Sequence, residues 1–478
     1  MRSRLTRPVL AATAVFGLVT GTAQAVPEST ASASAPSAPD TTGAAGIGDR
    51  YFPNYGNGGY RVAHYGIRVA FQPKTERLEG VTRIRARATQ RLTRFNLDLV
   101  LKPSLVRVNG ERARIRHRGH ELVVWPDHPI RNGHQMRVKV RYAGIPKNHR
   151  NNGVRPWITT RDGAVALGQP EIAAWWFPSN DHPADKATFD LRIKVPRDHQ
   201  AISNGRLVDV KRTPRKSTWH WRMPQPMATY LAFAAMGRYD VMRGKTHSGR
   251  PYLYAVDKGL RPRVKQNARE GLRTTGRATD FLTKLWGPYP YHQIGGVVPR
   301  GVVGYALENQ TRPVYDAGFF LGGPGRLVVV HEMAHQWFGD AVAVRRWKHI
   351  WLNEGFATYS EWLWLGRHGG ETPDHRFHRI YRREGPGSRF WDRKIGDPGP
   401  RHLFAGQVYT RGAMAAHALR IRVGSDDFFR ICRRWVQHNA DGLGSTAEFK
   451  RLAERVSGRQ LDGLFHAWLL GKTRPPRP

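Results

Sequence analysis

Residues 331–335 read His-Glu-Met-Ala-His. On a helix, at about 100° per residue, His331 and His335 lie about 40° apart, so two imidazoles can grip one ion. Glu332 then sits beside that ion without binding it, placed as a base toward a water. Zinc takes imidazole nitrogen at about 2.0–2.1 Å and keeps a fourth position open when the protein supplies three ligands. The third must come from elsewhere. Trp351-Leu352-Asn353-Glu354-Gly355 offers Glu354 at the head of a second helix and completes H-E-x-x-H-x18-E. Two antiparallel helices would bring it opposite the histidines. Each residue alone has an ordinary reading, as a helix histidine or as a carboxylate favoured by the helix dipole. The joint spacing arises by chance in on the order of 1 in 1,000 such chains, which decides for one zinc ion per chain. Glu361, seven residues after Glu354 on the same face, reads either as the partner that orients a histidine ligand or as a surface carboxylate.

The elements that must carry these residues divide the chain. From about Tyr60 to Tyr239 short segments rich in β-branched and aromatic residues follow one another between Gly, Pro and Asn. They are Tyr60–Phe71, Val81–Thr89, Leu105–Val108, Ala113–Ile115, Leu122–Trp125, Met136–Tyr142, Ala187–Val195 and Thr229–Met236. Asn109-Gly110 predicts a two-residue hairpin turn. Beyond about His247 helical periods take over, at Val264–Leu285, Gly325–Phe338, Glu354–Gly366, Arg411–Val423 and Asp426–His438, with a short β element around Gly301–Pro313. The expected fold class is α+β and multidomain. An N-terminal antiparallel β domain over 49–245 is followed by a mainly helical catalytic domain over 246–478.

Before these lies an address. Arg2 and Arg4 precede a mostly apolar stretch over 8–20, and Ala23-Gln24-Ala25 forms a small-x-small cleavage site, so residues 1–25 read as a signal peptide and the protein as secreted. The apolar stretch falls short of the ~20 residues of a spanning helix, and no later run reaches that length. Residues 26–48, rich in Ser, Ala, Pro and Thr, read as a disordered linker. A single cysteine excludes a disulfide within the chain. Cys432 shares a helical face with Phe428, Trp435 and Val436 and reads as a buried small hydrophobe. The net charge is +40, from 77 Lys+Arg against 37 Asp+Glu. Arg83, Arg85 and Arg87, and again Arg137, Lys139 and Arg141, alternate with apolar residues as on the wet faces of strands. The charge therefore reads as a basic surface without the localised stripe of a groove binder. Loose adhesion to an anionic cell envelope is the expected consequence, and no nucleic acid partner is expected.

Several segments together resemble the aminopeptidase N family of zinc peptidases. Tyr305-Ala306-Leu307-Glu308-Asn309 resembles the family's Gly-Ala-Met-Glu-Asn segment. Gln169-Pro170-Glu171 and the stretch from Phe177-Pro178 resemble its Gln-x-Glu and Phe-Pro-x-x-Asp-x-Pro motifs. Tyr409-Thr410-Arg411-Gly412-Ala413 resembles its Tyr-x-Lys-Gly-Ala motif. The resemblance spans about Tyr51 to Leu470 and implies a thermolysin-like catalytic domain. It also implies a substrate-binding set of Glu308, Glu171, Ala306 and Asn309, in which Glu308 and Glu171 hold the free ammonium of a peptide, and a catalytic Tyr409 that stabilises the oxyanion. Two departures stand out: Tyr305 replaces a small residue, and Trp175-Trp176 fills a place where the family often has Arg. The chain stops at Pro478, from which a more open cleft is expected.

The expected activity is removal of single residues from peptides with a free N-terminus. A zinc endopeptidase and a non-catalytic envelope-binding protein are the competing readings. The first requires that Glu308 and Glu171 not meet at an ammonium, and the second is opposed by the joint presence of Glu332, Tyr409 and three ligands.

Overall fold

The protein is described over residues 41–150, 156–301 and 303–478 of a computed structural model. The signal peptide and most of the linker expected from the sequence lie outside these residues. Thr41 to Gly48, assigned to the linker by composition, are instead held against the β part. Gly43 N donates to Arg94 O at 2.8 Å, Thr93 N to Thr41 O at 2.7 Å and Gly58 N to Ala44 O at 2.9 Å. Backbone pairing orders them although their side chains bury little.

The N-terminal half is β-rich, as its alternation requires. An eight-stranded sheet runs in the order Arg206–Arg212, Lys216–Met227, Ala187–Pro196, Tyr60–Gln72, Arg77–Ala88, Gln135–Gly144, Lys102–Val108 and Glu111–Arg112. Only Tyr60–Gln72 and Ala187–Pro196 are parallel neighbours in it. A three-stranded sheet (Phe95–Asp98, Glu121–Trp125, Arg114–Arg118) and a four-stranded sheet (Gln200–Ile202, Ala234–Gly237, Ala164–Ala166, Trp157–Thr159) complete this half. Asn109 and Gly110 both adopt positive φ, 53° and 107°, which closes their hairpin. The Thr229–Met236 strand expected from the sequence is split. Thr229–Leu231 is a 3-10 turn, and only Ala234–Gly237 pairs.

The expected division at 245/246 cuts a hairpin. Tyr239–Lys245 pairs antiparallel with Pro251–Asp257, and both belong to a five-stranded sheet completed by Ile294–Val298, Val314–Tyr315 and the edge strand Ala306–Leu307. The last strand of the β half is Ala234–Gly237, so the change falls near Arg238. A strand by itself does not show which sheet it will join. Helix α1 (Pro262–Trp286) crosses from Pro251–Asp257 to the parallel Ile294–Val298. Then follow α2 (Arg326–Ala334), α3 (Trp351–Arg367), α4 (Pro373–Arg383), α5 (Gly406–Val423), α6 (Ser425–Asn439) and α7 (Thr446–Ser457). The sequence reading missed α4 and α7, whose apolar positions are few: only Phe377, Ile380 and Tyr381 of α4, and Phe449, Leu452 and Ala453 of α7, are buried. Cys432 is fully buried on α6 beside Phe428, Trp435 and Val436. No helix among the described residues is long and apolar enough to cross a membrane.

Residues 41–478 form one unit, and many side chains tie the β half to the helical half. Asp49 Oδ2 accepts from Trp347 N at 2.7 Å, Lys186 Nζ donates to Asp340 O and Ala341 O at 2.8 and 2.9 Å, and Gly205 N donates to Thr311 Oγ1 at 2.9 Å. The His331–His335 segment and its surroundings lie at this junction.

Candidate metal centre

Helix α2 contains three successive valines, which helix propensity disfavours. Burial decides otherwise, since Val329, Val330, Met333 and Ala334 are all fully buried. The helix stops at Ala334, and His335 N bonds His331 O at 3.3 Å to close the last turn. His331 and His335 thus share a face, and α3 brings Glu354 opposite them. Glu354 Oε2 lies 3.5 Å from His331 Nε2 and 3.4 Å from His335 Nε2. One cation bound by all three atoms at zinc's usual distances needs donors about 3.3 Å apart for tetrahedral angles. The donor set fits zinc.

Both imidazoles are oriented by their other nitrogen. His335 Nδ1 donates to Phe338 O at 3.0 Å, and His331 Nδ1 lies 2.6 Å from Glu361 Oε1. With Nδ1 engaged in this way, each Nε2 is turned toward Glu354.

A tight helix crossing sets the remaining side chains. A Cβ on Gly355 would meet the Gly412 carbonyl carbon at 2.8 Å, and one on Gly412 would meet Gly355 Cα at 2.8 Å. Helices α3 and α5 therefore touch backbone to backbone, one residue after Glu354 and one turn after Tyr409. Helix α5 begins five residues before the expected Arg411, so Tyr409 lies in its first turn, where its ring stacks on His331 with centroids 5.9 Å apart.

Glu308 follows the edge strand Ala306–Leu307. Its carboxylate, that of Glu332 and a ring nitrogen of His335 come within 4.8 Å of one another. Tyr230 OH and Gln169 Nε2 both donate to Glu308 Oε1, at 2.9 and 3.0 Å. Gln336 Nε2 also holds the Glu308 carbonyl at 3.0 Å. The sequence reading gave no role to Tyr230, Gln169 or Gln336. Gln169 was legible in its motif and Gln336 as the residue after His335, but nothing local marks Tyr230.

Glu171, two residues after Gln169, is buried, and burial, then the charge of Asp181, raises its pKa to about 9. Asn309 is fully buried and its amide donates to Leu231 O at 2.8 Å, a contact that joins the two halves. Tyr305 lies at the rim, 36% exposed, and donates to Leu167 O at 3.2 Å. Trp175 and Trp176 are fully buried core residues, so this departure is absorbed by packing.

The electrostatics follow from burial of opposed charges. Burial raises the pKa of Glu332 to about 8 against the pull of His331 and His335. Burial disfavours charge on His335, but Glu354 and Glu308 outweigh it and raise its pKa to about 9. Burial likewise opposes the charge on Glu354, and the two histidines overcome it to hold its pKa at about 2. Burial, then Glu354, pushes the Tyr409 phenol well above its usual value, so it remains a donor.

The comparisons with known proteins agree with this architecture. Residues 62–231 match the Peptidase M1 N-terminal domain and residues 324–468 the Peptidase family M1 domain. The chain is 25% identical to Tricorn protease-interacting factor F2 of Thermoplasma volcanium over 65% of its length and 41% of that protein. It is 26% identical to Aminopeptidase M1 of Arabidopsis thaliana over 65% of its length and 37% of that protein. The chain thus matches about two fifths of these curated relatives. Solved structures of an M1 zinc metallopeptidase from Deinococcus radiodurans superpose with TM-score 0.80 at 27% identity, covering 91% of this chain and 98% of that one. A mutant of that protein was solved bound to a Tyr-Ser-Ala substrate. On both domains, their order and the overall superposition, the chain belongs to peptidase family M1.

Proposed function

We propose that the protein is a secreted zinc aminopeptidase that hydrolyses the first peptide bond of peptides with a free N-terminus. The observation that carries this reading is the approach of Glu308 to Glu332 and His335, with ligand atoms within 4.8 Å. The α-nitrogen and the carbonyl carbon of one residue are only about 2.5 Å apart. A carboxylate that holds the ammonium and a base that works at the adjacent carbonyl must therefore be near neighbours, as Glu308 and Glu332 are. An internal peptide bond presents no cation to Glu308. The edge strand Ala306–Leu307 offers its outer backbone groups to an extended peptide.

His331, His335 and Glu354 would hold the zinc, which when bound polarises the scissile carbonyl as a Lewis acid and makes a water more acidic. Glu332 takes the proton from the attacking water and passes it to the leaving amine. Tyr409 donates to the developing oxyanion. Burial leaves Glu308 with a raised pKa, and an arriving ammonium favours its carboxylate form, so binding and ionisation support each other. The leader-like residues 1–25 support export, and the basic surface supports contact with an anionic envelope.

A peptide and its N-acetylated form separate the readings. The aminopeptidase cleaves only the free form, whereas equal cleavage of both would establish an endopeptidase. Glu308→Ala should raise KM for the free peptide at least as clearly as it lowers kcat. A variant with the parental preference for free amines would remove Glu308 from this role.

A further inference from the structure

The alternation of charged and apolar residues in the β half has a consequence that only strand register reveals. Arg222, Asp190, Gly66, Arg83, Lys139 and Arg107 are successive cross-strand partners, and so form one row across six strands of the eight-stranded sheet. At about 4.8 Å between strands the row is about 24 Å long. Arg68 faces Arg192 on one side of it, and Arg85 faces Arg137 on the other. Together these side chains line a groove of about 580 Å³ that holds eight Arg and Lys and one carboxylate, Asp190. A part of the charge is thus gathered in one groove, within the basic surface expected from the sequence.

Asp190 offsets one of these cations, since its Oδ1 accepts from Arg222 at 3.2 Å and also from His220 at 2.6 Å. Among the described residues, the other cations of the groove have no acidic partner within ion-pair distance. Directly opposed like charges destabilise a sheet, and Arg83, Lys139 and Arg107 are three in succession. Partial desolvation, then the guanidiniums of Arg141, Arg83 and Arg107, hold the Lys139 ammonium below its usual pKa. An array of anions along the row would relieve this repulsion. Guanidinium forks match phosphate oxygens. The lining contains no Trp, Tyr or Phe on which bases could stack.

We propose that this face of the eight-stranded sheet binds a linear, base-free phosphate polymer, a polyol-phosphate chain of the envelope. None of the groove residues belongs to the metal pocket, so the proposal stands apart from the hydrolytic reading.

The test uses the zinc-loaded protein and a fluorescently labelled glycerol-phosphate oligomer long enough to span the row, followed by anisotropy at several salt concentrations. Arg83→Glu/Arg85→Glu/Lys139→Glu should weaken binding by about tenfold or more, and the triple Gln variant should flatten the salt dependence by up to about three counterions. The control Arg114→Glu/Arg116→Glu/Arg118→Glu removes the same charge from the three-stranded sheet and should change affinity by no more than about twofold, with salt slope near parental. Hydrolysis of a small aminoacyl amide should be unchanged in all variants. Equal weakening by the groove and control variants would reduce the effect to net charge. Tighter binding of oligo-dT of matched charge would make this a nucleic-acid surface. Either outcome overturns the proposal.

Discussion

At the residue scale the pocket is organised by what orients the side chains that would hold the metal. His331 and His335 have the same ligand atom turned inward because each Nδ1 is committed, one to Glu361 and one to the Phe338 carbonyl. Only the first partner is a side chain and can be changed. Glu361→Gln keeps the size but removes the charge that fixes the ring and its tautomer. Zinc affinity in chelator competition should fall about 10–100-fold, with activity recovering at saturating zinc. Glu332→Gln should behave in the opposite way. Bound zinc, measured by elemental analysis, should be retained while kcat falls roughly 10²–10⁴-fold. A Glu332 variant with near-parental kcat would assign the base elsewhere.

At the scale of elements, the crossing of α3 and α5 matters more than either helix alone. Glycine within a helix normally costs stability relative to alanine, by about 1 kcal/mol. At Gly412 the sign reverses, because an added Cβ would lie 2.8 Å from Gly355 Cα, and backbone cannot swing aside as a flexible side chain can. Gly412→Ala should therefore destabilise the protein by about 1–3 kcal/mol. Separating the helices also moves Tyr409 away from Glu354, so kcat should fall even at temperatures where the variant is folded. Thermal melting together with kcat checks both halves. A variant that melts at or above the parental temperature would show that the crossing has slack.

At the scale of the whole molecule, the β half that packs against the pocket buries carboxylates of its own. Asp185, fully enclosed, accepts from Val62 N at 3.2 Å and from Asn180 Nδ2 at 2.6 Å. Burial nevertheless dominates and raises its pKa to about 7, while that of nearby Asp181 rises to about 6 for the same reason. Unfolded aspartates release their proton near pH 3.9. Between about pH 4 and 7 the folded chain therefore holds more protons than the unfolded one, and these groups lower stability as pH rises through that window. Asp185→Asn cannot titrate. The melting temperature of the parent should fall relative to that of the variant from pH 4 to pH 7. A constant difference would show that Asp185 is ionised throughout.

The metal ligands were legible in the linear chain because helical periodicity is local: His331 and His335 share a face by spacing alone, and Glu354 lies on the next helix. Binary alternation likewise marked the strands at Tyr60, Val81 and Met136, and the single helical face marked buried Cys432. Other features depend on the path of the chain. Tyr230 reaches Glu308 only because the two halves dock, and Tyr239–Lys245 joined a sheet that no local pattern names. Asn309, read as a substrate contact by resemblance, donates to Leu231 O, a bond that no local pattern names. The same holds for charge. Periodicity tells which side of a strand an arginine occupies, but strand order and register decide which arginines become neighbours, and in this protein they gathered a basic groove from residues that look scattered in sequence.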